Sequence, residues 1–87
     1  MQADAKQITT LLKTARGQID GLIKMVEDDR YCMDISNQLL ACEAILKKAN
    51  REVLKAHFKG CVKSAFESGS EEEKIDEIVS LLEKMIK

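Results

Sequence analysis

The sequence predicts an all-α fold: a three-helix protomer with one long central helix, which packs with further copies of itself. Three observations lead there. Apolar residues are 45% of the 87-residue chain, yet the aromatics are only two Phe and one Tyr, and Pro is absent. That composition suits helices packed through Leu, Ile, Val and Ala rather than a β-sandwich. The apolar positions recur at steps of three and four residues, the period of a helix. A chain of this size also buries only a modest core by itself, so oligomerisation is expected.

The first helix is predicted over about residues 5–28. Ile8, Leu11, Leu12, Ala15, Ile19, Leu22, Ile23 and Val26 give it one apolar side. Gly17 and Gly21 interrupt it, each weakening the helix by about 0.8–1 kcal/mol relative to Ala. They lie near one face and either admit another backbone or are simply tolerated. Asp28-Asp29-Arg30 is a polar break in which either Asp is a candidate cap for the next helix.

The second helix is predicted over about residues 31–67, against a usual length of about 11–12. Ile35, Leu39, Cys42, Leu46, Ala49, Val53 and Ala56 alternate four and three apart, the seam of a coiled coil. Leu40, Leu54, Phe58 and Val62 lie well off that seam, so more than one flank needs apolar partners. A bundle of several chains fits best. After Ser68-Gly69-Ser70, a capping box of Ser70 and Glu73 starts a third helix over about residues 71–86. Ile75, Ile78, Val79, Leu82 and Met85 form its apolar side. Glu71, Glu72 and Glu73 match its positive end, and Lys84 and Lys87 its negative end. The chain reads as a single domain over residues 1–87.

Composition narrows the function. Net charge is −1, so any nucleic-acid surface must be a local basic patch. No apolar run approaches the roughly 20 residues of a membrane span, and Met1 to Lys6 lack a signal-peptide core. A cytoplasmic location is expected. Three Cys then read as ligands or reactive thiols rather than as a disulfide frame. One His, no Gly-rich phosphate loop and no isolated pair of carboxylates argue against an enzyme.

The chemistry centres on Cys32, His57 and Cys61. At about 100° per residue, His57 lies about 20° to one side of Cys32 and Cys61 about 20° to the other. His57 and Cys61 are neighbours at i,i+4, but Cys32 is roughly 37 Å away along a straight helix. One copy cannot bring all three to one ion. Two antiparallel copies can, with Cys32 of one meeting His57 and Cys61 of the other. Two thiolates and an imidazole favour copper(I) or zinc over magnesium or calcium. Zinc needs a fourth ligand, whereas the three donors complete a copper(I) site. Each residue alone has a plainer reading, as a small buried Cys or an ordinary polar His. Cys42 lies on the seam about 80° from Cys32, and core packing is its expected role. Tyr31 and Glu77 are candidates to support the site by accepting the other ring N–H of a ligating His.

Lys48, Arg51, Lys55 and Lys59 occupy an arc of about 80° on the long helix, and Lys13 and Arg16 form a second pair on the first. Such clusters suit phosphates, although charge runs are often only a solvated face. With few aromatics and no helix-turn-helix element, any DNA binding here should depend on phosphate contacts and DNA shape.

The segments Gly17-Gln18 with Gly21, Met25 through Cys32, Asp34-Ile35 with Gln38, and His57-Phe58-Lys59-Gly60-Cys61-Val62 together resemble the small all-helical bacterial repressors of the copper-sensing CsoR type. The resemblance implies dimers paired into disc-shaped tetramers that bind operator DNA and release it on binding metal. It implies copper(I) as inducer, held by Cys32 of one protomer and His57 and Cys61 of the other, with Tyr31 and Glu77 linking the His to the fold. Relatives that sense nickel, cobalt or formaldehyde lack the last Cys, and persulfide sensors typically lack the His. This chain keeps all three. It departs from the family at Leu11 and Thr14, where basic residues are common, and at Arg16, where an acidic or polar residue is common. Two other readings stay open: a persulfide- or thiol-sensing repressor using Cys32 and Cys61, and a copper-buffering bundle without a DNA role.

Overall fold

The computed structural model describes residues 1–69 and 71–86, and the side chains of all of these but Ile86. Three helices follow in order: α1 (Ala5–Glu27), α2 (Cys32–Ser68) and α3 (Glu71–Ile86). The ends agree with the sequence periodicity to within a residue. The Ser70–Glu73 capping box and Lys87 fall outside the described residues.

Asp4 caps α1, its carboxylate accepting from the Lys6 N–H at 3.0 Å. The turn between α1 and α2 differs from expectation, because neither Asp28 nor Asp29 caps α2. Both belong to the end of α1. Asp29 has φ 52°, in the left-handed region. Its N–H donates to the Val26 carbonyl at 3.1 Å, and the Arg30 N–H donates to the Met25 carbonyl at 3.0 Å. This is the paired Schellman closure, with an Asp where Gly is usual. Tyr31 is the N-cap of α2 and supplies no side-chain bond; the first turn is closed by its carbonyl, which accepts from Asp34 and Ile35. Gly69, at φ 74°, ends α2 with its N–H on the Ala65 carbonyl.

α1 and α2 form an antiparallel hairpin. Its core is thin: Ala15, Leu22 and Cys42 cluster together with Met25, Ile35 and Ile45 around them. The Cys42 Sγ lies 3.9 Å from the Ala15 carbonyl oxygen, so this thiol is a core residue, as its seam position implies. At the far end of the hairpin, the Gln2 side chain packs on Gly60, coming to 3.2 Å from the position a Cβ there would take. No atom comes within 4 Å of a Cβ built on Gly17 or Gly21, so no other helix uses their small size within the protomer. α3 turns back onto the C-terminal half of α2.

The shape is elongated. The radius of gyration is 17.6 Å, against about 12 Å for a compact chain of this length. The longest dimension, 57 Å, is about the span of α2 itself at 1.5 Å per residue. One helix pair cannot surround such a rod, and the apolar seam is split. Cys42 and Ala49 are buried, while Leu39 and Leu46 are about half exposed. With Ile19, Ile23, Val26 and Ile35 they line an open apolar groove of about 710 Å³. Val62, Phe66, Ile75, Val79 and Leu82 are exposed as well. Among the described residues no helix is long and apolar enough to cross a membrane.

The left-handed Asp29 generates a stability prediction. A non-Gly residue there carries strain of about 1–2 kcal/mol, partly offset on substitution by the greater chain entropy of Gly. Asp29→Gly is expected to stabilise the fold by about 0.5 kcal/mol, read as a higher urea midpoint at fixed protein concentration.

Candidate metal centre

His57 and Cys61 lie one turn apart on α2 and face α3. The His57 Nε2 is 3.2 Å from the Cys61 Sγ and 3.1 Å from the Glu77 Oε1. Glu77 comes from α3, twenty positions away in sequence, and its other oxygen is 3.5 Å from the Lys74 Nζ. The imidazole also meets the Phe58 ring edge-on, with centroids 5.8 Å apart. His57, Cys61 and Glu77 place one donor atom each within 4.8 Å of one another. All three are half-buried, reachable from solvent yet fixed by helix packing.

The sequence left open whether Glu77 reaches His57. It does, but at the nitrogen that also faces Cys61. An ionised carboxylate only accepts, so Nε2 must carry the proton, with Glu77 as acceptor and the sulfur beside it. In the neutral ring the lone pair is then on Nδ1. The His57 hydrogen bond holds the Glu77 carboxyl below its ordinary value of 4.5, burial opposes this, and the Lys74 charge adds to the lowering.

Cys32 is the first residue of α2 and is exposed. It stands at the opposite end of the helix from His57, so the protomer brings together two of the three sequence-predicted ligands and not the third. Tyr31 is likewise exposed beside Cys32 and makes no contact with His57 of its own chain. All three Cys are free thiols.

Lys13, Arg16, Lys48, Arg51, Lys55 and Lys59 are all exposed. Among the described residues, the ion pairs are Arg30–Asp34, Lys47–Glu43, Lys74–Glu77 and the His57–Glu77 contact, so none of the six is neutralised. Lys48, Arg51 and Lys55 border a cleft that also contains Phe58 of α2 and Leu82 and Met85 of α3. Thr14, where a basic residue was the family expectation, instead donates its hydroxyl to the Thr10 carbonyl at 3.0 Å. Sequence reasoning missed Lys74; its i,i+3 spacing to Glu77 was visible, but its relevance depends on α3 docking at His57.

The model of the metal-sensitive transcriptional repressor family matches residues 4–84. The chain belongs to that family. That family is one of transcriptional repressors rather than enzymes. It is 41% identical over 81 residues to the copper-sensing transcriptional repressor CsoR of Bacillus subtilis (strain 168), covering 93% of this chain and 80% of that one. It is 44% identical over 68 residues to CsoR of Mycobacterium ulcerans (strain Agy99), covering 78% of this chain and 58% of the longer relative. The fold matches the crystal structure of the copper-sensing repressor CsoR with Cu(I) from Geobacillus thermodenitrificans NG80-2. That match has a TM-score of 0.84 and 36% identity, over 94% of this chain and 85% of the other. The all-α, three-helix reading is thus borne out.

The depressed Glu77 carboxyl generates a pH prediction. A carboxyl lowered on folding contributes stability that is fully present above 4.5 and lost as pH falls through the lower folded value. A carboxyl-carbon NMR titration of the metal-free protein should show Glu77 titrating below 4.5. In His57→Ala the midpoint should move back up toward that value, with the Lys74 charge leaving a smaller residual lowering.

Proposed function

We propose that this chain is a copper(I)-responsive transcriptional repressor that binds operator DNA without metal and releases it when copper(I) binds. The site consists of Cys32 from one protomer and His57 and Cys61 from its partner. The observation that carries this reading is the half-built centre on α2. Two soft donors stand one turn apart and half-exposed, while the remaining soft donor is exposed at the other end of the same rigid helix. An antiparallel partner helix supplies the missing thiolate, and the open apolar groove gives that partner a surface to pack against. The copper-sensing relatives support the choice of metal. A pair of such dimers as the DNA-binding tetramer, and 1–87 as one sensing and DNA-binding domain, complete the proposal.

The donor set fits copper(I), which accepts thiolate and imidazole ligands and is satisfied by three of them. Nε2 is the nitrogen that faces Cys61 in the metal-free protomer, so ligation through Nδ1, which holds the lone pair when Glu77 takes the Nε2 proton in a hydrogen bond, would require the ring to turn. Bound copper supplies a soft cation that draws two thiolates and an imidazole together. This chain's own residues transmit the change. Turning the His57 ring pulls on Glu77 and so on α3, whose Leu82 and Met85 share a cleft with Lys48, Arg51 and Lys55. Those cations, with Lys59, Lys13 and Arg16, make the proposed phosphate-binding face. Tyr31, next to Cys32, would arrive at His57 from the partner. Repression is relieved only because the DNA-competent arrangement and the copper-bound one differ in affinity for the operator.

Anaerobic titration should load one copper(I) per protomer, with X-ray absorption reporting two sulfurs and one nitrogen. Loading is expected to weaken operator binding by about 5- to 150-fold. His57→Ala should remove that response; a variant that is still released from the operator by persulfide would mark the protein as the sulfur sensor instead. Tight copper binding with no change in DNA affinity would sink the proposal.

A mixing experiment tests the shared site. Cys32→Ser and Cys61→Ser proteins should each fail to bind copper(I) tightly. After unfolding and refolding together in equal amounts, about a quarter of the sites should recover, because each mixed dimer rebuilds one intact site of its two. Recovery of none would place all ligands within one chain.

A further inference from the structure

Lys74 stands one turn before Glu77 on α3 and holds the carboxylate oxygen that His57 does not use. The Lys74 Nζ to Glu77 Oε2 distance is 3.5 Å, and the His57 Nε2 to Glu77 Oε1 distance is 3.1 Å. The Glu77 side chain is about 40% exposed, and the Lys74 side chain 34%. At that exposure an untethered carboxylate samples several rotamers, and only some aim an oxygen across to α2. A cation on Oε2 selects among them. An ionised carboxylate only accepts, so an oxygen held toward His57 favours the neutral ring with its proton on Nε2 and its lone pair on Nδ1. The chain Cys61–His57–Glu77–Lys74 therefore runs from a candidate ligand on α2 to a cation on α3, with both Glu77 oxygens engaged.

We propose that Lys74 is a positioning residue: by bracketing the second oxygen of Glu77, it sets the ring tautomer of His57 and carries the movement of that ring into α3. The consequence for regulation rests on the copper-sensing reading above, whereas the tautomer can be read on the metal-free protein alone. His57 is the single histidine of the chain, so its ring signals need no assignment.

Long-range proton–nitrogen correlation spectra of the metal-free protein, recorded above the ordinary imidazole range of about 6.5, read the tautomer directly. Wild type is expected to be mainly Nε2–H. Lys74→Gln should raise the Nδ1–H fraction roughly two- to threefold, the size of effect expected from one exposed ion pair. Lys74→Arg should restore the wild-type balance, with helical circular dichroism unchanged in both variants. A wild-type ring that is mainly Nδ1–H, a Lys74→Gln ring identical to wild type, or an arginine that fails to rescue would each overturn the assignment. The second readout is the ratio of affinities, metal-free to copper-loaded, for a duplex selected by the metal-free protein from a random pool. Lys74→Glu should shrink that ratio by roughly threefold or more, and an unchanged ratio would overturn the regulatory half. If wild type itself shows no copper response, the copper reading fails while the tautomer result still judges the bracket.

Discussion

A straight helix cannot bring its own two ends together, and that constraint governs this protein. α2 runs unbroken from Cys32 to Ser68. Its uninterrupted hydrogen-bond ladder keeps Cys32 at one end and His57 and Cys61 near the other. A flexible linker between them would allow a site within one chain. The rod forbids it, so a centre that joins Cys32 to His57 and Cys61 needs a second copy running the opposite way. Metal binding and assembly thereby become the same structural problem in the proposed repressor.

The same rod explains the apolar surface. Only one other helix runs along most of α2, and the shorter α3 covers part of its C-terminal half. The buried residues where α1 meets α2 are mostly small, Ala15, Ala49 and Cys42, which lets the pair approach closely but leaves the larger Leu39, Leu46, Ile19 and Ile23 around the rim of an open groove. A monomer with that groove in water forgoes about 25 cal/mol for every Å² that a partner would cover. Self-association is therefore favoured by the same residues that leave the protomer thin.

In the proposed switch, communication would depend on a much smaller set of contacts. α3 is tied to α2 by apolar packing and by the polar contact of His57 with Glu77. Nε2 faces both the sulfur of Cys61 and the carboxylate of Glu77, so in the proposed switch a change in how the ring is engaged would pass to α3. α3 in turn lines the cleft shared with Lys48, Arg51 and Lys55. A half-exposed ionic link suits a switch, since it is weak enough to rearrange when one partner acquires a new bond.

The sequence by itself determined the three helices, because a period of 3.6 in apolar residues and the polar breaks at Asp28-Asp29-Arg30 and Ser68-Gly69-Ser70 act locally. It also determined that Cys32, His57 and Cys61 share one helix face, which is simple arithmetic once α2 is continuous. Tertiary structure decided the rest. Whether Glu77 touches His57, and at which nitrogen, depends on how α3 folds back, and no local pattern encodes that angle. The turn misled for a similar reason: Asp is strongly favoured at helix starts, yet the closure of α1 placed Asp29 in the left-handed conformation. Lys74 gained its meaning only after α3 docked. Local periodicity specifies which residues point the same way; only packing specifies what they point at.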